Sequence, residues 1–343
     1  MTRYEEVKQD LKQNPKRWLV TGVAGFIGSN LLEELLNLGQ HVVGLDNFST
    51  GYRHNLEEAT ESAAGGSFHF IEGDIRDLDT CRRACENVDY VLHQAALGSV
   101  PRSIANPLTT HQVNVDGFVN MLVAARDAGV ARFIFASSSS VYGDHPGLPK
   151  VEDQIGTPLS PYAVTKRTSE LYAKTFFDHY GVQTIGLRYF NVFGRRQDPY
   201  GAYAAVIPKW IAQLLNGERC LMFGDGETSR DFCYVANVVQ SNLLATQAKS
   251  EAFGRVYNIA VGERTTLNQL YGYLRDGLAA FVPAIRDLEP VYRDFRPGDI
   301  RHSLASIDLA REWLAFEPTH AVNEGLKEAM NWYVQKASMA SAR

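Results

Sequence analysis

Three evenly spaced glycines between an apolar run and a leucine-rich stretch constrain the fold of this chain most strongly. The run Trp18–Val20 is typical of a buried parallel strand, and Gly22, Gly25 and Gly28 follow it before leucines at helical spacing begin. A strand, a glycine turn and a helix form the phosphate-binding part of a dinucleotide-binding fold. Gly22 permits a tight turn, Gly25 lets the backbone approach a pyrophosphate, and Gly28 lets the helix pack closely. The first gap is one residue wider than in the usual fingerprint, and a turn that merely needs glycine is the alternative.

A carboxylate follows the second predicted strand. His41–Leu45 is predicted to be that strand, and it ends at Asp46, 18 residues after Gly28. Dinucleotide-binding folds place an acid about 20 residues after the glycines, where it accepts hydrogen bonds from the adenosine ribose. An acid here would repel a 2′-phosphate, which favours NAD over NADP. A solvated aspartate in an Asp46-Asn47 turn is the alternative.

The rest of the first half alternates between predicted strands and helices. This alternation predicts an α/β fold, a doubly wound parallel sheet of the Rossmann type. The predicted strands are Phe68–Ile71, Tyr90–Leu92, Phe133–Ala136 and Thr184–Leu187, and the predicted helices are Tyr4–Gln13, one opened by Gly73–Asp77, Thr109–Ala128 and Pro161–Tyr180. Beyond about Tyr189 the pattern breaks into loops, and only Val256–Ile259 indicates a further strand. We therefore expect a dinucleotide-binding domain at 1–189 plus about 231–262, and a smaller C-terminal lobe at 190–230 plus 263–343.

Composition excludes several classes of partner. The net charge is −5 and the basic residues are scattered, so nothing indicates binding to nucleic acid or to an anionic membrane. The four cysteines lack the paired spacing of zinc sites, and we predict reduced packing residues and no metal site. No apolar run is long enough to span a membrane, and the N-terminus lacks the apolar core of a signal peptide. These features predict a cytoplasmic protein.

A second motif, Tyr162-x-x-x-Lys166, places a phenol and an ammonium group one helical turn apart. A nearby cation lowers the pKa of a phenol from about 10 towards neutrality, which suits a general base. The spacing alone is weak, because Tyr4 and Lys8 share it. What distinguishes Tyr162 is the preceding hydroxyl cluster Ser137–Ser140, at the end of a predicted strand. The alternative interpretation of those serines is that they only form the polar end of a strand.

Taken together, the motifs resemble those of extended short-chain dehydrogenase/reductases. They occur in the family's order as Gly22–Gly28, Asp46, Gly73–Ile75, Ser137–Gly143, Tyr162-x-x-x-Lys166 and Arg188–Gly194. The likeness runs from about Trp18 to Trp332 and is greatest to nucleotide-sugar 4-epimerases of the UDP-galactose/UDP-N-acetylhexosamine kind. It implies tightly bound NAD, a UDP-sugar substrate held by the C-terminal lobe, and a homodimer built from Thr109–Ala128 and Pro161–Tyr180.

The resemblance also implies roles for individual residues. Cofactor contacts are expected from Gly22, Gly25, Phe26, Ile27, Gly28, Asp46, Asn47, Asp74, Ile75, Gln94, Ala95, Ala96, Tyr162, Lys166 and Tyr189. Asp74 and Ile75 would flank the adenine. For catalysis, it implies Ser138 as the hydroxyl partner of the sugar, Tyr162 as the base and Lys166 as the cation that orients it.

Substrate contacts are implied in the same way. They are expected from Gly98, Ser99, Ser138, Ser139, Ser140, Tyr162, Asn191, Gln197, Ala205, Val206, Arg230, Arg296, Asp299 and Ser303. Asn191, Arg230 and Arg296 would bind the diphosphate, Asp299 the uridine ribose, and Ala205–Pro208 would pass the uracil. Two guanidinium groups suit a diphosphate because they give directional, charge-assisted hydrogen bonds. Surface salt bridges are the alternative for both arginines.

Several related activities can be weighed from the residues. Relatives that dehydrate or decarboxylate nucleotide sugars carry an acid in the serine segment, whereas Ser138–Ser140 has none. A non-catalytic NAD-binding sensor usually lacks the tyrosine or the lysine, and both are present here. A UDP-glucose/UDP-galactose or a UDP-glucuronate 4-epimerase stays as an alternative.

The resemblance also bears on which sugar is used. Gly98 stands where galactose epimerases usually carry a lysine, and Ser303 stands where related epimerases have either a tyrosine or a small residue. Small residues leave room for a C2 N-acetyl group when the sugar ring turns over. We therefore expect UDP-GlcNAc/UDP-GalNAc or their uronic acids as substrates, for surface polysaccharide synthesis.

Overall fold

The fold is built around a seven-stranded parallel sheet, seen in a computed structural model that describes residues 1–63, 65–201, 204–295 and 300–341. The strands are β1 (Arg17–Thr21), β2 (His41–Asp46), β3 (Ser67–Glu72), β4 (Tyr90–His93), β5 (Arg132–Ser138), β6 (Thr184–Tyr189), β7 (Val192–Phe193), β8 (Leu221–Phe223), β9 (Ser229–Arg230), β10 (Cys233–Tyr234), β11 (Arg255–Ile259), β12 (Thr265–Thr266) and β13 (Val291–Arg293). The order in the large sheet is β11-β6-β5-β4-β1-β2-β3. The predicted doubly wound α/β fold is confirmed, and the strand order reverses at β1, where ligands bind in such folds.

Helices cover both faces of this sheet and continue into the C-terminal lobe. They are α1 (Arg3–Gln13), α2 (Phe26–Asn37), α3 (Arg53–Glu61), α4 (Leu78–Ala84), α5 (Val100–Ala105), α6 (Pro107–His111), α7 (Gly117–Asp127), α8 (Pro161–Tyr180), α9 (Val206–Leu215), α10 (Val235–Thr246), α11 (Leu267–Leu278), α12 (Asp308–Leu314) and α13 (Val322–Ser341). None of these helices is long and apolar enough to cross a membrane, within the part of the chain that the structure describes.

Local sequence explains why the helices that carry site residues form where they do. In α2, the leucines at 31, 32, 35 and 36 are all buried against the sheet, as an amphipathic helix requires. Helix α8 begins where the hydroxyl of Ser160 accepts a hydrogen bond from the amide of Ala163, with Pro161 in the first turn. It ends at Gly181, which adopts a left-handed conformation with φ of +69°. The bounds of α8 match the prediction.

Two predicted helices differ from the structure. Gly73–Asp77 does not open a helix but precedes one, because the side chain of Asp77 caps α4 at the amide of Thr80. The predicted helix Thr109–Ala128 is interrupted by a π-helical segment, Gln112–Asp116. That segment directs Asn114 inward, where it makes hydrogen bonds with both backbone groups of Leu97 and with the hydroxyl of Thr165.

The prediction that the chain breaks into loops beyond Tyr189 is wrong. Helices α9 to α13 follow, and α9, α11 and α13 pack on one another around a second apolar core. That core includes Trp210, Leu214, Leu270, Leu274, Leu326 and Met330. Prolines and glycines obscured these helices in the sequence: Pro208 lies in the first turn of α9, where its missing N–H costs little, and Gly277 gives room to Met330. The domain bounds stay a prediction.

Candidate active site

A cavity of about 440 Å³ opens beyond the carboxyl ends of β1, β2 and β4; we name it the glycine-loop cavity. Every residue predicted to contact the cofactor lines it. Those residues are Gly22, Gly25, Phe26, Ile27, Gly28, Asp46, Asn47, Asp74, Ile75, Gln94, Ala95, Ala96, Tyr162, Lys166 and Tyr189. Gly98 and Ser138, predicted on the substrate side, line it as well. The structure thus brings together residues from the carboxyl ends of six strands, β1 to β6, and from α8.

The glycine loop leaves no room for a side chain at Gly22 or at Gly28. A Cβ atom on Gly28 would lie 2.1 Å from the carbonyl oxygen of Gly22, and one on Gly22 would lie 2.8 Å from the amide nitrogen of Ala95. Gly22 also has a φ of +67°. Helix α2 follows with Gly25 as its N-cap, and neither a side-chain cap nor an acidic residue occupies its first turn. Its N-terminal amides therefore face the cavity without an anionic partner from their own turn.

Asp46 is buried at the end of β2 and is not the solvated turn residue of the alternative interpretation. Its two carboxylate oxygens accept hydrogen bonds from the amides of Ala24, at 2.9 Å, and Phe48, at 2.8 Å. Burial raises the pKa of this carboxyl, and these backbone hydrogen bonds partly oppose the rise. Each oxygen keeps a further lone pair for a ligand hydroxyl. Asp46 thus fixes the glycine loop and lines the cavity.

Asn55 is a cavity residue that the sequence did not reveal. It is 1% exposed, its Nδ2 donates to the carbonyl of Ala24 at 2.9 Å, and its Oδ1 has no hydrogen-bond partner among the described residues. A buried acceptor without a partner is costly, so a donor on a bound ligand would stabilise it. No motif marks this position; only the first turn of α3 brings it to the cavity.

The second motif places its groups at the carboxyl end of β5. Ser138 ends that strand, and its hydroxyl is close enough to the phenol of Tyr162 to lower the pKa of that phenol. The Nζ of Lys166 lies 6.0 Å from the centre of the Tyr162 ring and donates to the carbonyl oxygen of Ala136 at 2.7 Å. A phenol, a hydroxyl and an ammonium group therefore share one wall of the cavity.

The predicted lowering of the Tyr162 pKa is wrong. Burial raises the pKa of this phenol, and the Ser138 hydroxyl only partly opposes the rise. The ammonium group of Lys166 is bound to the backbone of β5. Burial also lowers the pKa of Lys166 to about 8, against the opposing effect of Glu170.

A buried ionic network below this wall was not predicted. Glu170, one turn after Lys166, receives two hydrogen bonds from the guanidinium of Arg188, at 2.8 and 2.9 Å. It also accepts one from the hydroxyl of Ser137 at 2.6 Å. The network ties α8 to β5 and β6, so Tyr162 and Lys166 are held in a fixed position relative to the serine segment.

A second cavity, of about 500 Å³, lies in the C-terminal lobe; we name it the lobe cavity. It contains four of the predicted substrate residues, Asn191, Ala205, Val206 and Arg230, and shares Val192 with the glycine-loop cavity. Aromatic side chains line much of the rest, namely Phe193, Trp210, Phe223, Phe232 and Phe295. Arg301, which was not predicted, also lines it and forms an ion pair with Asp225 at 2.6 Å.

Other predicted substrate residues do not line these two cavities. Ser99 caps α5 through its hydroxyl, and Ser139 and Ser140 form a short turn, Ser139–Tyr142. Gln197 lines a third cavity with Tyr333 instead. Ser303 lies beside β9, where its amide donates to the carbonyl of Ser229 at 3.0 Å. The predicted Arg296 and Asp299 lie outside the described residues.

Comparisons with known proteins agree with this geometry. A sequence profile of the NAD-dependent epimerase/dehydratase family matches residues 18–260. A UDP-glucose 4-epimerase of Mycolicibacterium smegmatis is 36% identical over 323 residues, which cover 94% of this chain and 99% of the relative.

Two solved structures extend the similarity to the fold. One is a UDP-N-acetylglucosamine 4-epimerase from Methanobrevibacter ruminantium M1 in complex with UDP-N-acetylmuramic acid; it is 39% identical, with 94% of this chain and 99% of that chain covered and a TM-score of 0.86. The other is a UDP-glucose 4-epimerase from Thermotoga maritima with UDP-glucose; it is 36% identical, with 94% and 99% covered and a TM-score of 0.84. This chain therefore belongs to the NAD-dependent epimerase/dehydratase family, as the motifs of an extended short-chain dehydrogenase/reductase predicted.

Proposed function

We propose that this protein inverts the configuration at C4 of a UDP-sugar, with NAD as its bound cofactor. The observation that carries the proposal is the position of Ser138, Tyr162 and Lys166, which share one wall of the glycine-loop cavity. That cavity meets the lobe cavity, with Arg230, at Val192. The arrangement suits a nucleotide sugar whose diphosphate lies in one cavity and whose reacting carbon lies in the other.

The residues of the glycine-loop cavity fit NAD. The cradle between Gly22 and Gly28 has no room for a Cβ, and the first turn of α2 offers its amides to a pyrophosphate. The buried Oδ1 of Asn55 lacks a donor, and Asp46 has lone pairs left for ribose hydroxyls. These four residues would hold the cofactor together with the other residues that line the cavity.

The chain's own groups would then move one proton. The chemistry that NAD supplies when bound is reversible hydride acceptance. Tyr162 Oη, as the phenolate, would take the proton of the sugar 4-hydroxyl, while Ser138 would hold that oxygen. Arg230 and Asn191 would hold the diphosphate while the sugar turns, and Tyr162 would then return the proton to the same oxygen and become the phenolate again. No net oxidation results.

For the substrate, we favour an N-acetylated UDP-hexosamine or its uronic acid. A Cβ at Gly98 would have no atom within 4 Å, so the cavity is open beside the predicted sugar position. A relative of known structure is named as a UDP-N-acetylglucosamine 4-epimerase. UDP-glucose/UDP-galactose is the second candidate, because two other relatives are named as UDP-glucose 4-epimerases; UDP-glucuronate is the third. A role in surface polysaccharide synthesis is part of the proposal.

The test is an assay of purified protein with UDP-glucose, UDP-GlcNAc, UDP-glucuronate and UDP-GlcNAcA. We expect the C4 epimers of the N-acetylated sugars to appear, separated by chromatography, with transient NADH-like absorbance in the near ultraviolet. Turnover of UDP-glucose alone would replace the first substrate candidate with the second. If none of the four sugars gave a C4 epimer or a change in absorbance, the proposed activity would be wrong.

Ser303→Tyr tests the substrate assignment. Ser303 is half-buried and its amide is bound to β9 beside Arg230; by the resemblance, its small side chain would border the space that a C2 N-acetyl group needs when the sugar turns, and a tyrosine ring would fill that space. We expect kcat/KM for UDP-GlcNAc to fall by at least about tenfold, in the range for steric exclusion of a substituent, while the value for UDP-glucose is retained. Ser303→Ala is the control and should leave both values unchanged. An equal loss with both sugars would contradict the assignment.

We also propose that the lobe cavity and its walls, 190–230 plus 263–343, form the substrate-binding domain, with 1–189 and about 231–262 binding NAD. The pairing of β11 with β6 in the large sheet supports this division. The homodimer predicted from Thr109–Ala128 and Pro161–Tyr180 is also proposed, and an exposed apolar surface on α8 and the neighbouring α5 and α6 supports it. Its side chains include Ile104, Leu108, Val164, Leu171 and Tyr172, with Leu108 76% exposed.

A further inference from the structure

Two loops and helix α5 meet at one edge of the glycine-loop cavity and bring Tyr52, Asp198 and Arg102 together. Tyr52 is the N-cap residue of α3, Asp198 follows β7, and Arg102 lies in α5. All three line the cavity, and the Tyr52 side chain is also 42% exposed, so this group stands at the boundary with solvent. None of them belongs to the motifs that predicted the cofactor or substrate contacts.

A short hydrogen bond joins two of these residues across the cavity edge. Tyr52 Oη donates to Asp198 Oδ2 at 2.6 Å, although the two residues are 146 positions apart. The other oxygen, Asp198 Oδ1, accepts from the amide of Tyr200 at 2.8 Å, which orients the carboxylate. On the other side, the ring of Tyr52 stacks on His54, with centroids 5.1 Å apart. Both partners are therefore held in place by their own loops.

Charges at this edge favour a persistent bond. The hydrogen bond to Asp198 raises the pKa of the Tyr52 phenol, so the phenol stays protonated and remains the donor at neutral pH. The positive charge of Arg102 opposes part of this rise in the pKa of Tyr52 without reversing it, and the Arg102 guanidinium donates to the carbonyl of Gly98 at 3.4 Å. A phenol that donates to a carboxylate forms one of the stronger hydrogen bonds in proteins.

We infer that Tyr52 and Asp198 form a clasp, a side-chain bond that closes one edge of the glycine-loop cavity and slows the escape of NAD. The inference rests on the proposed epimerase cycle, in which the hydride leaves and returns to the same sugar. A cofactor lost between the two transfers would strand the oxidised sugar. Slow release is therefore what the cycle requires, and the clasp links the loop after β2 to the loop after β7 to provide it.

The experiment follows NAD release from purified holoenzyme without any sugar. After rapid dilution into buffer containing an NAD-scavenging enzyme, the NAD that stays with the protein is measured over time. Tyr52→Phe keeps the ring and removes the hydroxyl, and Asp198→Asn removes the charge. Each variant is expected to release NAD about tenfold faster, as for loss of one charge-assisted hydrogen bond. The double variant should match the single variants, because all remove the same bond.

Two controls separate a clasp from general damage. Tyr273→Phe alters a 45% exposed tyrosine on α11 and should release NAD at the wild-type rate. Excess free NAD should restore turnover of Tyr52→Phe to the wild-type value, which a damaged fold would not allow. Wild-type release from both single variants, or strictly additive effects in the double variant, would overturn the clasp. NAD release is measured without sugar, so it does not depend on epimerase activity. A protein without that activity would overturn the proposed function, but its NAD release rates would still test the clasp.

Discussion

Tyr162→Phe is expected to lower turnover at least roughly a hundredfold, the usual effect of removing a positioned general base. The substitution keeps the ring in its place between Ser138 and Lys166 and removes only the oxygen that accepts the proton. Binding of NAD and of the UDP group should therefore persist. The measurements are turnover with the preferred UDP-sugar, NAD content per subunit, and the dissociation constant for UDP by calorimetry.

The control for this prediction is Tyr180→Phe, on the same helix. Tyr180 is 54% exposed and its ring packs against Arg126, a contact that phenylalanine preserves. Wild-type turnover is expected. If Tyr162→Phe retained most of its activity with the NAD content unchanged, another group would have to take the proton, and the assignment of the base would be wrong.

For Tyr162, the sequence predicted the position of the neighbouring lysine but not the environment of the phenol. Spacing predicted that Lys166 lies one turn from Tyr162, and the structure places its Nζ 6.0 Å from the ring centre. Spacing did not predict that the ammonium group is bound to the carbonyl of Ala136, nor that burial raises the pKa of the phenol. Both depend on how deeply α8 packs on β5. The basicity of Tyr162 therefore depends on packing depth, which spacing along the sequence does not reveal.

The fold was more predictable than the site, and for a physical reason. Apolar runs such as Trp18–Val20 and the capped, uninterrupted pattern Pro161–Tyr180 are local signals, and the elements formed where these signals lay. Helices α9 and α11 were missed because Pro208 and Gly277 resemble breakers, although tertiary packing tolerates both. The π-helical segment was missed because it is set by the contacts of Asn114, which no periodicity reveals.

Site residues were likewise predictable where a local sequence signal marks them, and not where only tertiary packing places them. The predicted cofactor residues lie at or just after the ends of strands or, for Tyr162 and Lys166, on α8, and the structure gathers them all around one cavity. Asn55, Glu170 and Arg301 belong to no motif that we recognised, and they reach their positions only through packing of α3, α8 and the loop after β13. Gln197 shows the converse, since a residue that the resemblance implied as a substrate contact lines a different cavity.

Gly28→Ala is expected to remove most of the bound NAD. The new Cβ would lie 2.1 Å from the carbonyl oxygen of Gly22 and 2.8 Å from the Cα of Val23. Both are backbone atoms that no rotamer change can move, so α2 must shift away from the loop. Overpacking of this kind costs roughly 1–3 kcal/mol and turns the amides of the first helical turn away from the pyrophosphate. We expect less than about a tenth of the wild-type NAD per subunit after purification, with a lower melting temperature.

Gly272→Ala is the matched control, because it makes the same chemical change on helix α11, where an added Cβ meets no atom within 4 Å. It should leave the NAD content unchanged and raise stability slightly, since alanine is the better helix former. The comparison separates the effect of adding a methyl group to a helix from the effect of the steric clash between that methyl group and the glycine loop. Stoichiometric NAD in purified Gly28→Ala would mean that the loop can open without losing the pyrophosphate, and that close contact between Gly22 and Gly28 is not what holds the cofactor.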